Sequence, residues 1–224
     1  LAAAALLSAS LTSAASATTF YFDEATYFSA TGAVAVPLPN LGNVGSTFST
    51  GGLTFSSFGS ATDLFSGTSG FEGTFGPDFA PAISGNDLAI SGPENFAIDF
   101  GSSVAAFSFK AFEPTVSGPA SPFSGPTCNA PCFDTSFDIS LFRQGVKITN
   151  VTFFPFDDTP TFLGILEPGG FDRVVFTDLT GTVDNEFFGE FSAAGLSTVP
   201  APAPLVLLAS CLGILGFCRR RRNF

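Results

Sequence analysis

The chain has 224 residues, with 8 basic and 19 acidic side chains, a formal net charge of −11, no His and no Trp. So acidic a surface repels phosphate backbones, which argues against nucleic acid as a partner. Without imidazole, neither Ser-His nor Cys-His nucleophilic catalysis is available, nor any His-ligated metal.

At the N-terminal end, Leu1 to Leu11 form an apolar run of small residues, followed by Ala15 and Ala17 at the spacing that a signal peptidase pocket reads. The segment 1–17 is therefore expected to be the latter part of a secretory signal, cleaved after Ala17. It is too short to span a bilayer.

A single domain is expected over 18–194. Asp23 is placed to cap a short surface-packed helix from Glu24 to Ala30, and Gly32 to end it. After it come short alternating segments broken by Gly, Pro, Ser and Asn, the pattern of an all-β sandwich. The stretch Ser46 to Gly85 has weak periodicity and predicts no register. Phe96, Ile98 and Phe100 alternate with Asn95, Ala97 and Asp99; Phe107 and Phe109 with Ser108 and Lys110; Phe137, Ile139 and Leu141 with Asp138 and Ser140. Each such run buries one face and wets the other. Phe142 to Val146 predicts a hairpin turn with Gly145 at positive φ. The return strand changes phase between Ile148 and Val151, which predicts a bulge near Asn150. Thirty Phe against two Tyr place most aromatics in the core rather than around a polar site.

Candidate chemistry is sparse. Cys128 and Cys132 enclose three residues, and in an exported chain a local disulfide is expected, one that pins loop shape more than it stabilises the whole. Asp157-Asp158 and Asp184-Asn185-Glu186 are the densest groups of oxygen ligands, the type calcium takes six to eight of. No spaced calcium-loop motif accompanies them, and a solvated acidic loop end is the competing reading. Two of the many carboxylates at a fixed separation could serve glycoside hydrolysis, but sequence does not give the separation.

The C-terminal end has three parts: a Pro/Ala linker over 195–204, an uncharged run from Leu205 to Cys218, and Arg219, Arg220, Arg221 and Arg222. The uncharged run would extend roughly 21 Å as a helix at ~1.5 Å per residue, short of the ~30 Å hydrocarbon core. A transmembrane anchor is expected over 205–224, with the arginines snorkelling and the bilayer thinning locally. The arginines orient that end toward the cytoplasm and the acidic body outward.

The stalk Val199-Pro200-Ala201-Pro202, the brief Leu/Gly-rich run and the arginine cluster together resemble the PEP-CTERM sorting signal, a tail also labelled the C-terminal domain of ice-binding proteins. Ala201 stands where that family usually has Glu. The resemblance implies export, inner-membrane anchoring in a Gram-negative bacterium, and processing by a membrane protease, exosortase. It covers 199–224. Phe22-Asp23-Glu24-Ala25, Ile98-Asp99-Phe100-Gly101 and Phe171-Asp172-Arg173-Val174 also resemble the extracellular domains often attached to this tail. That likeness implies a jelly-roll-like sandwich. Structural calcium near the final strand, as in similar carbohydrate-binding domains, makes Asp184 and Asn185 the first ligand candidates.

The expected function is a non-enzymatic component of the cell surface or extracellular matrix. Its expected partners are signal peptidase, an exosortase-type protease, the membrane and extracellular polysaccharide. Two alternatives compete with it: a calcium-assisted carbohydrate-binding module and a carboxylate-dependent glycan hydrolase.

Overall fold

A computed structural model describes residues 17–67, 83–113, 135–156, 159–180 and 186–196. The fold opens with β1 (Thr19–Tyr21) and α1 (Glu24–Thr31). The Thr26 N–H donates to Asp23 Oδ1 at 2.8 Å, satisfying a first-turn amide. Gly32 takes φ 61° and its N–H donates to the Phe28 carbonyl, the left-handed stop that glycine makes at no steric cost. The expected helix is thus present, one residue longer at its C-terminal end.

Eleven further strands follow: β2 (Val34–Ala35), β3 (Gly42–Gly45), β4 (Thr47–Thr50), β5 (Leu53–Ser57), β6 (Leu64–Ser66), β7 (Asp87–Ile90), β8 (Phe96–Phe112), β9 (Phe137–Arg143), β10 (Val146–Phe153), β11 (Thr161–Asp178) and β12 (Phe187–Gly195). All pairings are antiparallel. The weakly periodic stretch after Ser46 does form strands, with β5 joining β8 and β6 joining β7.

Two long strands organise the molecule. β8 and β11 pair along both of their halves, with register breaks between Leu166 and Arg173 and an exposed stretch at Gly101–Ser103 in β8. The first half of β8 lies between β5 and the second half of β11, which in turn pairs with β9 and so with β10. The second half of β8 lies between β12 and the first half of β11, which carries β1; β7, β6 and β3 continue outward from β12. The ribbon therefore folds over on itself and supplies a strand pair to each layer of a β-sandwich with one short helix.

The two layers meet through phenylalanine. Phe55 on β5 packs edge-on to Phe191 on β12 with centroids 5.2 Å apart. Phe109 lies 4.9 Å from Phe176 and 5.4 Å from Phe153. Such offset and edge-to-face pairs gain more than area burial alone. The helix docks on the outside of β11, where the buried Tyr27 ring occupies the space that a Cβ on Gly164 would take.

The β9–β10 hairpin has Gln144 at φ 50° and Gly145 at φ 76°, two positive φ values in a two-residue loop, as the strand twist demands. Its bulge falls between Lys147 and Thr149, two residues earlier than the expected Asn150. The reason is that the extra residue is absorbed directly after the turn, leaving Asn150 paired with Ser140 and its amide on Asp138. Among the described residues no helix is long and apolar enough to cross a membrane. The anchor expected at 205–224, the linker before it and the signal residues up to 16 lie outside the described residues.

Candidate functional site

Three places on the sandwich combine exposure, shape or charge in ways that packing alone does not require. The first is an apolar groove of about 500 Å³ at one rim. β10 runs out in the alternating phase, so Phe153 points into the core and Phe154 points out. Phe154 is 49% exposed, Phe156 51%, and Phe22, arriving from the β1–α1 junction, 67%. All three rings line the groove together with Thr152 and Thr161. The loop beneath is fixed: the Phe156 N–H donates to Thr161 Oγ1 at 2.8 Å, and that hydroxyl donates to the Thr159 carbonyl at 3.1 Å. Concave, mainly apolar ground with a few polar groups is the usual form of a small-ligand site. Most described phenylalanines do serve the core; these three are the rings that strand phase and loop geometry leave exposed at the rim.

The second is a smaller cleft, about 280 Å³, lined among others by Glu24, Phe28, Asn86, Glu190 and Phe191. Lys110 Nζ stands 3.0 Å from Glu24 and 2.8 Å from Glu190. Burial alone would lower the Lys110 ammonium, but hydrogen bonds to Glu190 and Glu24 outweigh it and hold the group above its ordinary value. Glu190 has φ 47°, a strained conformation for a residue with a side chain. It sits where the β12–β8 register slips between Gly189 and Ser192, and the Ser84 N–H donating to Glu190 Oε1 helps to hold it.

The third is buried. Phe96, Phe137, Phe176 and Phe188 close one end of the core, with Phe96 stacked on Phe176 at 4.2 Å and Phe188 4.9 to 5.7 Å from the other three. On each of these strands the side chain two residues further out, in the same inward phase, carries oxygen: Glu94, Thr135, Asp178 and Glu186. All four are buried, Glu94 and Glu186 to 0% exposure. Glu113, two residues beyond the buried Ala111 on β8, is buried as well. Thr135 Oγ1 donates to Glu186 Oε1. Glu94 faces Glu186, and the two carboxyls hydrogen-bond each other. Burial, then the neighbouring Glu186 and Asp178, push the Glu94 carboxyl far above the carboxylate range. Burial also raises Glu186, partly offset by its contacts with Glu94 and Thr135. Among the described residues no three His, Cys, Asp or Glu side chains are spaced to hold a metal ion.

Asp157 and Asp158, Asp184 and Asn185, the cysteines Cys128 and Cys132, the sorting motif from Val199 to Pro202 with Arg219–Arg222, and Ala15 all lie outside the described residues; Ala17 is an exposed residue just before β1. The residues that sequence reasoning passed over are Glu94, Thr135 and the groove phenylalanines. The signal for Glu94 was present, since carrying the Phe96–Ile98 alternation one step back puts a carboxylate on the buried face.

No family model and no curated protein matches the chain. Among solved structures it is similar to the enzymatically active domain of tailspike protein 4 from bacteriophage CBA120, at 14% identity and a TM-score of 0.37, covering 64% of this chain but only 19% of that one. It is also similar to a mutant of the family 29 carbohydrate-binding module CBM29-2, at 14% identity and a TM-score of 0.34, covering 76% and 98% of the two chains. A family 11 carbohydrate-binding module from Clostridium thermocellum, in complex with a β-1,3-1,4-mixed-linked tetrasaccharide, gives 9% identity, a TM-score of 0.33 and coverage of 72% and 96%. At such scores the likeness assigns this chain neither a family nor a ligand.

Proposed function

We propose that this chain is an exported surface protein whose jelly-roll-like sandwich binds extracellular polysaccharide without catalysis, through the groove framed by Phe22, Phe154 and Phe156. The observation that carries the reading is three half-exposed or more exposed phenylalanine rings around one concave site. Their apolar faces match the C–H faces of sugar rings, and a concave, mainly apolar site with a few polar groups is the usual form of a ligand site. Two χ angles per ring and a hydrogen-bonded loop keep the ordering cost of binding low.

The non-catalytic part of the reading rests on the second cleft. Glycoside hydrolysis needs one carboxyl to donate a proton while the other acts as base or nucleophile. Glu24 and Glu190, the carboxylates that share the open cleft, are both ion-paired with Lys110, the opposite arrangement. Export is supported by the signal-like segment ending at Ala17 and by the tail resembling PEP-CTERM, whose arginines would hold the chain in the inner membrane until exosortase acts.

The test is affinity electrophoresis of the full chain through gels carrying mixed-linkage β-glucan, mannan or a bacterial exopolysaccharide. The wild type should be retarded in at least one of them, and F154A/F156A should run freely with an unchanged circular dichroism spectrum. Equal mobility of wild type in every gel and in the blank would remove the binding reading.

A further inference from the structure

Glu167 is a carboxylate on β11 that the fold keeps nearly out of solvent, 6% exposed, where the pairing of β11 with β8 breaks after Leu166. Its Oε1 accepts from the Gly169 N–H at 3.0 Å and from the Arg143 guanidinium at 3.2 Å. Its Oε2 accepts from the Thr18 hydroxyl at 2.6 Å. β1 pairs with β11 from Thr19 opposite Leu166 onward, so Thr18, one step back, stands opposite Glu167. Ala17, one residue earlier, is exposed. The first residue after the expected signal cut is therefore also the one that touches a buried carboxylate.

Hydrolysis of the Ala17–Thr18 bond consumes one water. It leaves a carboxylate on the departing Ala17 and turns the Thr18 amide nitrogen into an α-amine, which is protonated at neutral pH. The nitrogen and Oγ1 of a Thr lie roughly 3–4 Å apart in any staggered rotamer. A hydroxyl in contact with Oε2 thus brings the new charge within ion-pair reach of the same carboxylate. An ionised carboxylate has about four acceptor positions, and Gly169, Arg143 and the Thr18 hydroxyl take three of them. We infer that Glu167 is the receptor for the α-ammonium of Thr18, a site that only the processed chain can fill, so that signal removal fastens β1 to β11. Burial of the carboxylate shields the pair from salt screening. Docking of this kind presupposes the proposed export and a cut after Ala17.

The test uses the processed chain, Thr18 to Phe224 in mild detergent, with its α-amine either free or acetylated. Acetylation removes the charge and restores an amide at the same atom. In thermal denaturation at pH 6.5 the acetylated form should melt about 2–4 °C lower. E167Q should make the two forms coincide. So should pH 10, because a cation held by a carboxylate stabilises the fold while protonated and stops doing so as pH rises past its folded-state pKa. Equal midpoints at pH 6.5, or an acetyl effect of the same size in E167Q, overturn the inference. If E167Q fails to fold, a difference that persists at pH 10 overturns it instead. N-terminal sequencing of the exported protein should begin at Thr18; any other start removes the processed amine and the site's occupant with it. Neither readout involves sugar, so retardation of wild type and F154A/F156A in the glycan gels decides the groove separately.

Discussion

Asp87 should make the fold less stable as pH rises from its ordinary value of 3.8 to about 7, and Asp87→Asn should remove that dependence. The residue sits on β7 opposite Gly189 of β12. It is 7% exposed, and no donor reaches Oδ1. Burial is the main cause that pushes its carboxyl from 3.8 up to about 7. A carboxyl whose pKa is higher folded than unfolded binds its proton more tightly in the folded state. Its contribution is therefore complete below the unfolded value and is lost as pH rises toward the folded one. The rise from 3.8 to about 7 amounts to roughly 4 kcal/mol of stability lost across that pH range. The assay is urea denaturation followed by circular dichroism at intervals from pH 4 to pH 8, for wild type and variant in parallel. Other titrating groups contribute equally to both proteins and cancel in the difference, provided they are not coupled to Asp87. The variant should be close to wild type at pH 4 and gain on it steadily until about pH 7, then hold level. A stability difference that stays constant across this range would refute the reasoning.

Three further outcomes follow from packing and from the tail. Phe188→Ala removes the ring shared by Phe96, Phe137 and Phe176, and chemical denaturation should show a loss of about 3–5 kcal/mol. Gly164→Ala drives a methyl group against the buried Tyr27 ring; a cost of about 1–3 kcal/mol should appear as a drop of several degrees in Tm. Deleting Leu205 to Phe224 should send the protein from the membrane fraction into the medium, as cell fractionation would show; retention in the membrane would contradict the anchor.

Local features of the fold were legible because local chemistry sets them. Asp23 and Gly32 bracket the helix, Gly145 marks the hairpin, and the Phe96, Phe107 and Phe137 runs bury the faces that their alternation indicates, although Ala97, Ser108 and Ser140 on the faces expected to be wet are buried as well. The folding of β8 and β11 from one layer into the other was not legible, because pairings such as Phe96 with Phe176 join residues far apart in sequence. The same limit hid the acidic end. Glu94 reads alone as a polar strand terminus, and only the meeting of two layers shows that it faces Glu186. The groove escaped notice for a different reason: Phe154 and Phe156 have the composition of core residues, and only the phase of β10 and the loop held by Thr161 turn them to solvent.

Polysaccharide recognition at the phenylalanine rim is tested most directly by an NMR titration of the isotope-labelled full chain with an oligosaccharide of the polymer that retards it. Saturable shift changes confined to Phe22, residues 152–156 and Thr161 are expected, and F154A/F156A should abolish them. Shift changes centred instead on Glu24, Asn86 and Glu190, or none at millimolar sugar, would contradict recognition at that rim.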